Sequence, residues 1–338
     1  MKGTGPPAST EAPLLKAFSL GLLSSLFFAF TFVLNREMET QGGHWIWSSS
    51  LRFFFMLPIL WLILLPGRKY REVFASIREN PRPWLLWSTV GFGIFYSFIC
   101  IAASGGPSWL TASAWQLTIV AGVLLSPLFY ADRELGIRHG IPLGQLLVSA
   151  LVLAGVFTVQ AGMGYGTSVP GGTAGTAAPE AYLGLVFVVV AAFAYPLGNR
   201  KMMELVGKSL GTAQRVFGMT LCSMPFWALL SLSGMALGIV PGRTQVLQTL
   251  VVALSSGVVA TLLFFKATTL VTSDVRKLAV VESTQAGEVV FSLLGGVLVF
   301  GDRSPSALAM AGLAIVIVGI ISNAAVAASA AGKPAQSG

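Results

Sequence analysis

Apolar runs of about 20 residues recur along the chain, each closed by a polar or turn-forming cluster, and that length is what a helix needs to cross a hydrocarbon core of ~30 Å. Ten such runs are read: 14–34, 45–65, 84–104, 110–130, 141–160, 181–198, 212–234, 247–271, 278–300 and 305–326. The pattern predicts an all-α membrane protein with ten transmembrane helices. The first run is too long for the apolar region of a signal peptide and passes into Asn35-Arg36-Glu37 without a small-residue cleavage site, so a retained helix is expected there.

The chain also repeats itself. Asn35-Arg36-Glu37-Met38 after the first run is matched by Asn199-Arg200-Lys201-Met202 after the sixth, and Arg52-Phe53-Phe54-Phe55-Met56 in the second by Arg215-Val216-Phe217-Gly218-Met219 in the seventh. Phe129-Tyr130-Ala131-Asp132-Arg133 is matched by Val299-Phe300-Gly301-Asp302-Arg303. Five runs per half is an odd number, so the second half must enter the membrane from the opposite side: two inverted five-helix repeats, residues 14–161 and 181–326. Residues 162–180, rich in Gly, Ala and Thr and free of Lys and Arg, read as an external linker. Residues 1–13 and 327–338 read as cytoplasmic tails. Inverted repeats of this kind place a site near the bilayer midplane that opens to each side in turn.

Composition agrees with the pattern: 54% of the 338 residues are hydrophobic and 10% charged, which argues against a soluble enzyme. The net charge of +8 would suit nucleic acid, but its distribution does not. With both termini in the cytoplasm, 15 of the 21 Lys and Arg fall inside, three (Arg36, Arg243, Arg303) outside, and three (Arg52, Arg215, Lys266) within spans. That is the positive-inside rule, and it predicts a multi-pass protein of the cytoplasmic membrane with no nucleic-acid partner. Cys100 and Cys222 lie in apolar segments without a CxxC partner, so neither a disulfide framework nor a thiolate metal site is expected. His44 and His139 fall in loops on opposite sides, and no nucleotide loop, HExxH or nucleophile elbow is present. No cofactor is expected. Transport would therefore draw on a gradient.

Glu288 is the acid placed for coupling. It lies roughly 15 Å into the ninth run at ~1.5 Å per residue, about half the core depth, where a carboxylate costs a few kcal/mol and marks a proton or ion pathway. Glu282, Gln285 and Glu288 are spaced three apart and form one polar stripe. Unpaired, Glu288 would be neutral at rest and exchange a proton with a cationic substrate. If Arg52, about 10 Å in from the outer end of its helix, reached it, the acid would stay ionised in an architectural or zwitterion-binding pair. Glu282, Lys266 and Arg215 lie in a similar layer near the cytoplasmic end and read as a gating or ion cluster. In the fourth run Trp115, Gln116 and Thr118 stand in the counterpart region, an amide and an aromatic wall suited to an organic solute. With Gln285 and Arg52, the in-span aromatics Trp115, Tyr96, Tyr195 and Phe30 complete the substrate-binding candidates. Trp45, Trp47, Trp84 and Trp87 stand at run ends, where an interfacial belt is expected. Pro196 is expected to bend the sixth helix. Gly144 with Gly155, and Gly312 with Gly319, permit close helix approach, either within the monomer or at a homodimer seam.

Ten spans in two halves, an Asn-Arg pair after the first helix of each, an Arg in the second, and Asp132-Arg133-Glu134 after the fourth resemble the drug/metabolite transporter superfamily. The stretch Val281-Glu282-Ser283-Thr284-Gln285-Ala286-Gly287-Glu288-Val289-Val290-Phe291 is similar to the ninth helix of its ten-helix multidrug resistance efflux branch. The resemblance covers residues 14–326 and implies transport more firmly than cargo. Four-helix members of the superfamily carry their essential acid in the first helix; here Glu37 and Glu39 fall beyond the end of the first run, so the scheme carries over only if Glu288 takes that place. The reading is a proton-coupled exporter of small cationic or amphipathic organic compounds. The alternative within transport is an exporter or facilitator of amino acids or related metabolites; the alternatives of another class are a membrane enzyme or a non-transporting scaffold.

Overall fold

In the computed structural model, residues 11–128, 131–132, 137–138, 143–164, 177–207, 209–271 and 275–331 are described. The first two spans are α1 (Glu11–Thr40) and α2 (Trp45–Leu64). Pro66 ends α2, and Gly67 and Arg68, both with positive φ (74° and 55°), turn the chain into the amphipathic α3 (Tyr70–Glu79). The third span joins α4 (Pro81–Ser88) to α5 (Phe95–Ala102) through a π-helical segment, Thr89–Ile94. The fourth is α6 (Ser108–Trp115) and α7 (Leu117–Leu125), the fifth α8 (Leu143–Gly164), the sixth α9 (Ala177–Val206) and the seventh α10 (Thr212–Ala236). The eighth joins α11 (Arg243–Val252) and α12 (Thr261–Thr269) through a π-helical Ala253–Ala260. In the ninth, α13 (Val275–Ser283) stops, α14 (Ala286–Leu294) restarts, and a π-helical Gly295–Val299 follows; α15 (Ala307–Ala331) is the tenth. Among the described residues nine helices are long and apolar enough to cross a membrane, and the broken ninth makes ten crossings.

Two helices outrun the apolar pattern. The first extends six residues past Leu34, because Asn35 and Met38 are buried and the turn has packing partners that hydropathy cannot register; Glu37 and Glu39 therefore sit on its last turns. The sixth likewise carries Asn199-Arg200-Lys201-Met202 inside the helix, with Met202 buried. Gly162 belongs to the fifth helix rather than to the linker, packed against the Ala309 backbone; residues 165–176 lie outside the described residues. Ala131–Asp132 pairs with Ile137–Arg138 in a two-residue antiparallel ladder, and Arg133, Glu134, His139 and the Phe129-Tyr130 pair lie outside the described residues. Trp84 is buried rather than interfacial, beneath Gly218 and bonded through Nε1 to Ser76 Oγ.

The larger core takes residues from spans one, two, three, six, seven and eight, together with Val73 of α3 and Ala112 of span four; a second draws on spans four, five, six, nine and ten, with Ala102 at the end of span three, and a small third joins spans one, eight and nine through Ala17, Ala267, Val271 and Val281. The glycines of spans five and ten are consumed within the monomer. Gly155 faces Val316 and the Gly312 carbonyl, Gly312 faces the Val159 backbone, Gly319 faces Val152 and Gly144 faces Val326.

Two kinds of irregularity follow the repeat, whereas the π-helical Gly295–Val299 of the ninth span has no counterpart in the fourth among the described residues. The third and eighth spans, equivalents in the two halves, each hold a π-helical segment, and the fourth and ninth are each broken in mid-span. The sixth helix packs on the π segment of the third, and the first helix packs on that of the eighth. Gly91 makes the first of these contacts possible by meeting the Gly198 backbone directly, and Thr31 Oγ1, donating to Ser256 Oγ at 2.7 Å, joins the second. Chance similarity of apolar segments would not reproduce matched defects.

Candidate functional site

The break in the fourth span falls at Gln116, where Gln116 N donates to Ser113 O (3.2 Å) and Ile119 N to Gln116 O (3.0 Å), tighter turns than an α-helix makes. The break in the ninth falls at Thr284 and Gln285, with the same pattern from Thr284 N to Val281 O and from Glu288 N to Gln285 O. Thr284 Oγ1 donates to the Val281 carbonyl at 2.6 Å, a local bond that competes with helix continuation. Small residues on the first helix let this break come close: Gly21 meets Thr284, and Ser25 meets Gly287.

Glu288 stands at the start of α14 with 4% of its surface exposed, and the Gln116 side chain lies within hydrogen-bonding reach of its carboxyl. Gln116 is buried and its Nε2 also donates to Ala112 O (3.3 Å). Gln285 Nε2 is buried without a partner. The two breaks thus bring an acid and two amides together at mid-span, with no Lys or Arg within ion-pair distance of Glu288 among the described residues.

Beside them lie three rings from three spans. Phe95 is 5.0 Å from Trp115 and 4.8 Å from Tyr195, and Trp115 meets Tyr195 edge-on at 5.5 Å. Tyr195 keeps 37% of its surface exposed while lying within electrostatic range of Glu288, Arg215 and Arg52. Arg52 does not pair with Glu288. Its guanidinium stacks 4.0 Å from the centre of the buried Tyr96 ring, and its Nη1 reaches Thr31 Oγ1 at 3.4 Å. Asn35 Nδ2 donates to Tyr96 Oη at 3.1 Å. Phe30 is half-buried against the larger core, stacked on Phe27.

Glu282 and Lys266 are exposed, and among the described residues no ion pair joins either to Arg215, whose guanidinium lies 5.8 Å from the Phe265 ring. At the opposite end of the bundle is a cluster missed in the sequence. Asp302 Oδ2 accepts from Ser108 N (2.8 Å) and Ser108 Oγ (2.6 Å), and Oδ1 lies 3.8 Å from Arg36 Nε. Arg36 Nη1 donates to Ala103 O and Ser104 O. Both Asp302 and Arg36 lie in the repeated motifs, which was the available signal; Ser108 carries none. Phe95 was also missed, since only the tertiary fold sets it between Trp115 and Tyr195. Among the described residues no three His, Cys, Asp or Glu side chains converge as metal ligands.

Comparisons with known proteins agree with this architecture. The chain is 47% identical over 312 residues to the uncharacterized protein YjlA of Bacillus subtilis (strain 168), covering 91% of this chain and 94% of that one. It is 46% identical over 277 residues to an uncharacterized 42.1 kDa protein of Shouchella clausii, encoded in the 3' region of an intracellular alkaline protease, covering 81% and 70%. A solved structure, described as the crystal structure of a protein, shares the fold with a TM-score of 0.60 at 16% identity over 94% of this chain and 99% of its own. The profile of the EmrE family, described as "Putative multidrug resistance efflux transporter", matches residues 15–329. With the match running through all ten spans, the chain belongs to the EmrE transporter family.

Proposed function

We propose that the protein exports small cationic or amphipathic organic compounds across the cytoplasmic membrane in exchange for protons, with Glu288 as the coupling acid and both termini in the cytoplasm. The observation that carries this reading is the buried Glu288 carboxyl, 4% exposed, beside an amide and without a basic partner among the described residues. An ionised carboxylate there is costly unless compensated. Two compensations are available, a proton or a cationic cargo. A unit charge about 4 Å away at an effective dielectric of ~20 attracts it by roughly 4 kcal/mol, enough to offset an insertion cost of about 3 kcal/mol. The two ligands exclude each other, and exclusion at one site is the basis of antiport. The Phe95, Trp115 and Tyr195 rings would receive the flat or apolar part of the cargo. Breaks at Gln116 and Gln285 supply bending points in the two helices that flank the acid.

The experiment is flux in proteoliposomes with an imposed pH gradient and a pH-sensitive dye in the lumen. Wild type should move a lipophilic cation against its gradient with a matching proton flux, and Glu288→Gln should abolish both while retaining slow exchange at most. Undiminished proton-coupled flux in Glu288→Gln removes the acid from the mechanism.

A further inference from the structure

The buried acid has a buried counterpart of opposite sign that is also unpaired. Arg52 is 8% exposed, its Nε is buried with no hydrogen-bond partner, and among the described residues its neighbours are the Thr31 hydroxyl, 3.4 Å from Nη1, and Tyr96. Among the described residues the ion pairs are Arg36 with Asp302 and Lys201 with Glu204, so no carboxylate neutralises it. Beside it Asn35 Oδ1 is likewise buried and unpartnered. Stacking on Tyr96 returns less than a buried unpaired ion costs. Arg52 is thus short of an anion.

The ground between the two charges is continuous and aromatic. Tyr96, beneath Arg52, is 5.9 Å from Phe95, which touches both Trp115 and Tyr195. Tyr195 lies within electrostatic range of Arg215, Glu288 and Arg52. We propose that Arg52 receives a carboxylate of the cargo, so that the compound carried is a small zwitterion bearing a flat apolar group, its cationic end at Glu288 and its carboxylate on the guanidinium. This rests on the reading of Glu288 given above and narrows its substrate class. The chemistry favours Arg for the role: a planar fork of donors matches a carboxylate with two parallel bonds, and its charge is never lost by deprotonation.

The test is counterflow in proteoliposomes with two zwitterions, phenylalanine and 4-(aminomethyl)benzoic acid, and the methyl ester of each, which keeps the cation and removes the carboxylate. Wild type should carry at least one zwitterion 10-fold or more faster than its ester. Arg52→Gln should bring the ratio of zwitterion to ester close to one, with its thermal unfolding midpoint in detergent reporting that the variant is folded; Arg52→Lys should recover part of the preference. Esters carried as well as both acids by wild type, or an equal loss for acid and ester in Arg52→Gln, would overturn the proposal. Glu288→Gln is run on the same panel. Loss of proton-coupled ester flux there upholds the coupling acid even if the Arg52 result fails, and retained coupling overturns the acid whatever Arg52 shows.

Discussion

Asp302→Asn should loosen one end of the bundle by an amount that can be worked from its bonds. The carboxylate holds the start of α6 through Ser108 N and Ser108 Oγ, and draws in Arg36, which in turn grips the carbonyls of Ala103 and Ser104. The ends of the first, third and ninth spans and the start of the fourth are thereby clasped together. Bonds to a charged acceptor contribute about 1.5–3 kcal/mol and neutral ones about 1, so exchanging carboxylate for amide costs roughly 1 kcal/mol per bond. A negative charge at a helix N-terminus adds about 0.3–1 kcal/mol, and the 3.8 Å contact to a partly exposed Arg36 adds at most about 1. The total is about 2–4 kcal/mol, roughly 30-fold to 1,000-fold in the balance between clasped and open forms. Spin labels at Ser104→Cys and Ser304→Cys, with Cys100 and Cys222 replaced by Ser, would read that balance as a distance distribution. The wild-type protein should show one dominant short distance, and Asp302→Asn a second, longer population. If the two distributions superimpose, the clasp does not hold this end shut and the bond arithmetic is wrong.

Two further outcomes follow from packing and capping. Gly312→Leu should destabilise the seam of spans five and ten by about 1–3 kcal/mol, since a Cβ at Gly312 would stand 2.6 Å from Val159 N and 2.8 Å from its Cγ2; a thermal unfolding midpoint in detergent equal to wild type would show that the helices can part freely. His44 Nδ1 accepts from Ile46 N at the start of α2, and burial holds its imidazole below the usual range. A lowered value means stability that is full above the ordinary pKa of ~6.5 and is lost as pH falls, because protonation turns the acceptor into a donor. His44→Asn keeps a capping oxygen without titrating, so it should flatten the decline in stability between pH 7 and 5, whereas parallel pH profiles would exclude the cap as its source.

What could be read from the chain divides by the range of the interaction responsible. Spans were legible because bilayer crossing is a matter of length and apolarity, both local. Their ends were not: Asn35 and Met38 look like the beginning of a loop until Tyr96 and the surrounding core are set against them. The ninth span reads as one apolar run, yet it breaks at Thr284, whose hydroxyl prefers the Val281 carbonyl and whose side chain packs against Gly21 of the first helix. Glu288 stood out because a solitary acid in apolar sequence has few bland explanations. Arg52 stood out equally, but its partner did not, since stacking on Tyr96 and pairing with Glu288 fit the same spacing along α2. Lys266, Arg215 and Glu282 share a layer by counting residues, but depth alone does not bring side chains within bonding distance.

The matched defects carry the argument one step beyond fold. Gln116 and Gln285 break their helices 169 residues apart, close to the 170 that separate Asp132 from Asp302, so a break of the same kind stands at matching places in both halves with different chemistry around it. Three residues past the break the ninth span has Glu288 and the fourth has Ile119. Had both halves kept a carboxylate, two acids would face each other across the midplane and one would be forced to hold a proton permanently. With one acid and one amide, Gln116 can donate to the carboxylate when it is ionised and accept from it when it is protonated, so it accompanies both states without competing for the proton. In the mechanism we propose, this asymmetry inside a repeated frame is what would let a single carboxyl alternate between proton and cargo.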